Sequence, residues 1–288
     1  MKEFPRVPTR APEGENSNGT EAVADGLAEL AENVRENIRA HVELRLRFAN
    51  AVSRVKGISF TEALKEYTDF YKRVTGEWPR NWPEETEEAR KKWDSFVEPV
   101  VSASSQEEVE TVFMSAYVRT MRQSTDHTNE SFWPFRYDPP TDGVLSLHFG
   151  SMAMTPDQQL GQPGVLSKER FEEQRAKLKA LFSEVKEKYP DVREVRGGSW
   201  LYNREAYRRL FPASYTATHT VRRNGKFQGG GTWGQFRTKD GGVNKESRDT
   251  FIQNLTHLNP DALDDAFPLQ TWLVQAPIED FYKEYGIE

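Results

Sequence analysis

Histidines, serines and glycines decide which chemistry this chain can carry, because it contains no cysteine at all. Thiolate nucleophiles, thiolate metal sites and disulfides are thereby excluded together. The five histidines show no HxH or HExxH spacing, so no metal site is expected. Two of them lie where a base could work. His148 shares a predicted strand face with Val144 and Ser146, just ahead of a long Gly/Pro/Gln loop from Gly150 to Gly164. His219 lies in a predicted strand among Tyr215, Ala217 and Val221, with Thr216, Thr218, Thr220 and Arg222 on the other face. It reads either as a core histidine bonded to backbone or as a general base facing a cavity opened by glycine.

The glycine argument comes from a predicted hairpin. Asn224-Gly225 is a strong two-residue turn signal, flanked by Ser214–Arg223 and Lys226–Thr238 as strands. Counting from that turn sets His219 opposite Gly230, within the run Gly229-Gly230-Gly231. Three glycines weaken a strand, so they imply a bulge, a close neighbour or room for a ligand. Two other glycine-rich stretches fail the tests of known motifs. Gly197-Gly198-Ser199-Trp200 is not G-x-S-x-G, and Gln228 to Gly234 is neither a Walker loop nor a dinucleotide fingerprint.

The elements that must position these residues fall into two halves, a helical bundle followed by a mixed sheet flanked by helices, which is an α+β class. Residues 1–20, rich in Pro, Asn and Glu, read as a disordered leader. A helical domain over 21–122 follows. Its first helix runs from Thr20 to Gly57, with Val34, Ile38, Phe48 and Val52 on a stripe that His41 and Arg45 interrupt; His41 reads as a polar residue near the stripe's edge. A second helix covers Ser59 to Val74, with Ser59 and Glu62 forming a capping box. Trp78 and Trp82, between prolines, plug the bundle or clamp a ligand. Helices over Glu84–Val97 and Ser105–Arg122 complete the bundle.

An aromatic connector over 123–142, with Phe132, Trp133, Phe135 and Tyr137, leads to a mixed α/β domain over 143–288. There we expect strands at Val144–Phe149, Val192–Leu201 and Leu269–Ala276. Ser167 is the expected cap of a long helix and Asn203 that of a short one over Arg204–Phe211. Ser247 should cap a third helix, Pro260 should open a further short one, and a terminal helix over Ile278–Tyr285 should end at Gly286.

Composition bounds the partners. The 288 residues carry 45 acids and 39 bases, a formal charge of −6 that gives no net pull toward nucleic acid. Mean hydropathy is low at −0.79, but 17 Phe, 10 Tyr and 7 Trp can build a core. Met1 to Gly19 holds no apolar run, and no stretch reaches the ~18 apolar residues of a membrane span. A cytoplasmic location without membrane contact is the expectation, and the helical stripe fits a homodimer.

Ser199-Trp200-Leu201 at a strand end, the short helix and predicted hairpin after it, and Gln270-Thr271-Trp272-Leu273 together resemble the C-terminal domain of bacterial GNAT-like acyltransferases. The likeness spans about residues 144–288. It implies acyl transfer from an acyl-CoA-type donor to a small-molecule amine. His219 or His148 would take the amine proton, and Ser199 and Tyr202 would hydrogen-bond the substrate or donate to the leaving group. Trp200, Tyr202, Gly230, Trp233 and Arg237 would line the substrate site. The family's pyrophosphate loop has the form Gln/Arg-x-x-Gly-x-Gly/Ala; the nearest stretch here, Arg237 to Gly242, departs from that spacing. The alternative is a non-catalytic binding or immunity-type interaction protein that uses its aromatic surface.

Overall fold

The structure, a computed structural model, describes residues 32–77, 85–123, 132–150, 163–223, 229–238 and 241–288. These fall into two units, one up to residue 123 and the other from 132 onward. The α+β class holds: helices precede a mixed sheet flanked by helices. The leader, the start of the first helix, Trp78, Trp82 and the Asn224-Gly225 turn lie outside the described residues. No helix among the described residues is long and apolar enough to cross a membrane.

In the first unit, α1 (Glu32–Lys56) buries Ile38, Val42, Phe48, Ala49 and Val52 and ends at Gly57, whose φ of 67° is a left-handed value open to glycine. Ser59 caps α2 (Phe60–Tyr67) by accepting from the Glu62 amide at 3.1 Å. The single helix expected to Val74 is in fact broken. The Thr68 hydroxyl donates to the Leu64 carbonyl and accepts from the Phe70 amide, and α3 (Phe70–Thr75) starts afresh. The α4 helix (Glu87–Ser102), capped by Thr86 rather than starting at Glu84, runs on through Pro99, and α5 (Gln106–Gln123) follows. Phe70 meets Phe113 at 4.4 Å and Tyr71 meets Trp93 at 5.5 Å in the core.

His41 and Arg45 are not at the edge of the stripe but inside the unit, 5% and 3% exposed. The break at Asp69 explains why. Arg45 grips the buried Asp69 carboxylate with two donors and bonds the His41 carbonyl with a third, while Arg73 Nε donates to Asp69 at 2.8 Å. The Arg73 guanidinium also lies 4.0 Å from the Tyr117 ring centroid. Burial pushes the Asp69 carboxyl up, but Arg45 and Arg73 outweigh it and hold it well below the usual carboxylate range.

The second unit opens with β1 (Phe135–Thr141), so part of the expected connector is an edge strand. Pro139 and Pro140 fit there because β1 is an edge strand and its pairing with β2 is interrupted between Asp138 and Thr141, so neither has to donate to the ladder. With β4 at Thr220–Val221 and β5 at Trp272–Pro277, the sheet order is β1-β2-β3-β5-β4, β2 (Val144–Phe149) being parallel to β3 (Glu194–Ser199) and the other pairs antiparallel. The crossover from β2 to β3 is α6 (Phe171–Lys188). It begins after Arg170, not at a cap on Ser167. Leu145, Leu147, Val195, Val274 and Ala276 face the core formed with Leu178, Phe182 and Val185, and α11 (Ile278–Tyr285) packs Phe281 against Phe182 at 4.6 Å. Gly286, with φ 61°, ends that helix as expected.

The predicted hairpin is corrected. Ala213–Ala217 is a short helix, α8, preceded by α7 (Glu205–Arg208), whose N-cap position is held by Arg204 rather than Asn203. Thr220–Val221 is β4, and it pairs with β5 (Trp272–Pro277) instead of with residues near 230. Gly230–Trp233 is helical, α9, and continues as a 3-10 turn over Gly234–Phe236. Helical spacing wins because Phe211 and Tyr215, and then Thr232, Trp233 and Phe236, all bury themselves at steps of one, three and four. Asn244, not Ser247, caps α10 (Lys245–Asn254), accepting from the Ser247 amide at 2.9 Å. Beyond Pro260 the helical turn is a 3-10 one at Leu263–Ala266.

Asp69→Asn leaves the buried Arg45 guanidinium and the partly buried Arg73 guanidinium without their carboxylate, so it should cost about 3–5 kcal/mol of stability in urea unfolding at neutral pH. The folded carboxyl titrates below its unfolded value, so its contribution is complete above about pH 4 and fades as pH falls from there. The wild-type advantage over Asp69→Asn should shrink in the same window.

Candidate functional site

The candidate chemistry collects at one end of the sheet, where β2 and β3 finish and β5 begins. In open α/β sheets the space outside the carboxyl ends of parallel strands is where ligands sit. Register fixes which face each residue takes. Leu147 is level with Gly197, so His148 shares a face with Gly198, and Ser199 lies on the opposite, core-side face with Leu147. Ser199 is also level with Trp272, and Trp272 with Val221.

His148 is half-buried on the open face, and its Nε2 lies 2.8 Å from Asp138 Oδ2. Asp138 reaches it diagonally from β1, where it is paired with Ser146 while Arg136 is paired with His148. A carboxylate accepts from Nε2–H, which fixes the tautomer and leaves Nδ1 with a lone pair. The arrangement is that of an oriented base.

Ser199 has a structural task. Its Oγ accepts from the Leu201 amide at 3.1 Å and caps the 3-10 turn Trp200–Asn203. The Asn203 side chain ties that turn down by donating to the Trp200 and Gln270 carbonyls, both at 2.7 Å. His219 is exposed rather than in the core; its ring stacks on Trp272 with centroids 3.7 Å apart and planes at 11°, and Nδ1 is 3.2 Å from the Thr216 carbonyl. The Arg208 guanidinium is 5.6 Å from the same indole ring. The three candidates do not converge. His148 and Ser199 face opposite sides of the sheet, and Trp272 stands two strands from β2, about 10 Å away.

The binding candidates divide in the same way. Tyr202 and Trp233 are core residues, 1% and 2% exposed. Burial, with Tyr215 close by, pushes the Tyr202 phenol well above its ordinary value, so it stays protonated at neutral pH. Trp233 packs with Phe236, Phe251 and Phe267. Trp200 is half-buried, its indole nitrogen so near Gly234 that a Cβ there would lie 3.1 Å from it. Gly230 begins α9 and does not face His219 across a hairpin. Arg237 forms an isolated antiparallel bridge with Val243. No group of three His, Asp or Glu able to hold a metal occurs among the described residues.

Sequence reasoning missed Asp138, because Asp138-Pro139-Pro140 reads as loop. Gly197 of β3 and Gly231 of α9 also answer to close neighbours that no motif reveals. A Cβ at Gly197 would collide with the Tyr202 and Tyr215 hydroxyl oxygens, which are 3.3 Å apart, and one at Gly231 would lie 3.0 Å from the Gly198 carbonyl. Buried Gln235 bonds the Thr232 and Leu269 carbonyls and the Leu269 amide, and so fixes α9 beside the start of β5.

Gly197→Ala should therefore destabilise the protein by about 1–3 kcal/mol through overpacking. Adding Tyr202→Phe and Tyr215→Phe, which remove the colliding oxygens, should recover much of that loss in thermal unfolding. An unchanged melting temperature for Gly197→Ala alone would contradict this packing. Comparison of the chain with models of known protein families, with curated proteins and with solved structures finds no match.

Proposed function

We propose that the chain is an acyltransferase that moves an acyl group from an acyl-CoA-type thioester to a small-molecule amine, with His148 as the base. The observation that carries this reading is the 2.8 Å contact between His148 and Asp138 at the carboxyl end of β2. The amine nitrogen would attack the thioester carbonyl and lose its proton to His148 Nδ1; the C–S bond would then break, and the leaving thiolate would take the proton back from the imidazolium to depart as the thiol. Asp138 would hold the ring and balance the charge of the imidazolium. Ser199 and His219, expected from the sequence to share in catalysis, have structural roles in this scheme. The same reading makes the protein a cytoplasmic enzyme that needs no metal and binds no nucleic acid, with the N-terminal helices as a homodimer surface.

A second reading, as a non-catalytic interaction protein, is favoured by one feature. Leu273 is 44% exposed on the open face, level with exposed Thr220 and next in sequence to the stacked Trp272. An exposed apolar side chain on an open sheet face suits contact with another protein.

Thiol release from acetyl-CoA in the presence of a panel of small amines separates the two. Under the enzyme reading, His148→Gln should lower turnover by about 10²–10⁴-fold, and Asp138→Asn should also be impaired. His219→Ala should stay within a few-fold of wild type. No thiol release with any amine, together with no thermal shift from acyl-CoAs, would remove the enzyme reading and leave the interaction one.

A further inference from the structure

A buried amide without a partner sits near the start of α6. Gln174 is 1% exposed, and neither its Oε1 nor its Nε2 has a hydrogen-bond partner among the described residues. It belongs to the core-facing stripe of Gln174, Leu178, Leu181, Phe182 and Val185, where a leucine would pack with no polar atom to satisfy. The contrast with Gln235, whose amide is bonded at both ends, is direct.

The surroundings are those of a site for a negative group. A helical side chain leans over the turn N-terminal to its own Cα, so the Gln174 amide is directed toward the first turn of α6. That end has no side-chain cap, since Arg170 makes no capping bond. The Phe171 and Gln174 amides bond the Lys168 and Arg170 carbonyls, but those of Glu172 and Glu173 have no backbone acceptor among the described residues. The Arg209 guanidinium lies 4.9 Å from the Phe171 ring centroid, and its Nε is buried with no hydrogen-bond partner among the described residues. Arg209 also acts on the Glu169 carboxylate, and Glu173 is tied to Arg170 and Lys177. Because α6 is the crossover between parallel strands, this end of the helix is the one that faces the carboxyl ends of β2 and β3.

We infer that the N-terminal end of α6, with Gln174 and Arg209, binds a small ligand that carries an oxyanion next to an O–H or N–H donor. Gln174 Nε2, Arg209 Nε and the free helix amides would donate to the oxyanion, and Gln174 Oε1 would accept from the ligand's own donor. Hydrogen phosphate and an amino acid both have this chemistry, whereas sulfate has the charge without the donor. The inference does not depend on acyl transfer.

Thermal unfolding of the full chain tests it, with inorganic phosphate, glycine and sulfate at matched ionic strength. The wild type should be stabilised by phosphate or by glycine beyond the sulfate control, with a shift that grows with concentration; which of the two acts identifies the source. Gln174→Leu should melt about 2–4 °C higher without ligand, since it removes two unsatisfied atoms, and should lose the ligand response. Gln174→Met serves as a second variant should leucine disturb folding. No wild-type response beyond sulfate, a response that survives in both variants, or a lower ligand-free melting temperature in both would overturn the inference.

Discussion

The closeness with which β3 is approached sets the geometry of the whole second unit. At Gly197 two tyrosine hydroxyls occupy the space a side chain would take, and at Gly198 the carbonyl meets Gly231 of α9. Those contacts draw the turn after Ser199, the α8 helix and α9 against one strand. That strand is also the one joining a parallel neighbour to an antiparallel one. The end of the sheet holding His148, Ser199 and Trp272 is arranged by this packing. Any substitution that pushes the neighbours away from β3 should be felt first at that end.

Buried polar groups in this protein sort into two kinds. Asp69 with Arg45 and Arg73, and Gln235 with its three backbone partners, are satisfied, and their work is to fix the chain. In a low-dielectric interior such groups specify one arrangement because each alternative leaves a charge or an amide unpaired. Gln174 and the Nε of Arg209 belong to the second kind, buried with no hydrogen-bond partner among the described residues. His148 differs from both. It is half-exposed, with one nitrogen held by Asp138.

The fold class was legible because it rests on long periodic segments: α1, α6 and α11 announce themselves by apolar spacing and by Gly57 and Gly286 at their ends. The site was legible only in part. His148 could be chosen from its strand and the loop after it, but Asp138 could not, since two following prolines disguise an edge strand. The Asn224-Gly225 signal promised a hairpin, yet its flanks fold as helices because Tyr215, Trp233 and Phe236 gain more by burial at helical spacing than a threonine-rich strand would. Ser199 invited a chemical role by its type, and its hydroxyl proved to be needed by the Leu201 amide. Local propensity cannot see such tertiary demands.

Whether Asp138 holds the His148 ring in one tautomer, with Nδ1 left to act as a base, is tested most directly by two-bond nitrogen–proton correlation spectra of the imidazole at neutral pH. Neutral His148 should carry its proton on Nε2, and Asp138→Asn should abolish this preference. A proton on Nδ1, or a tautomer population indifferent to Asp138, would contradict that role for Asp138.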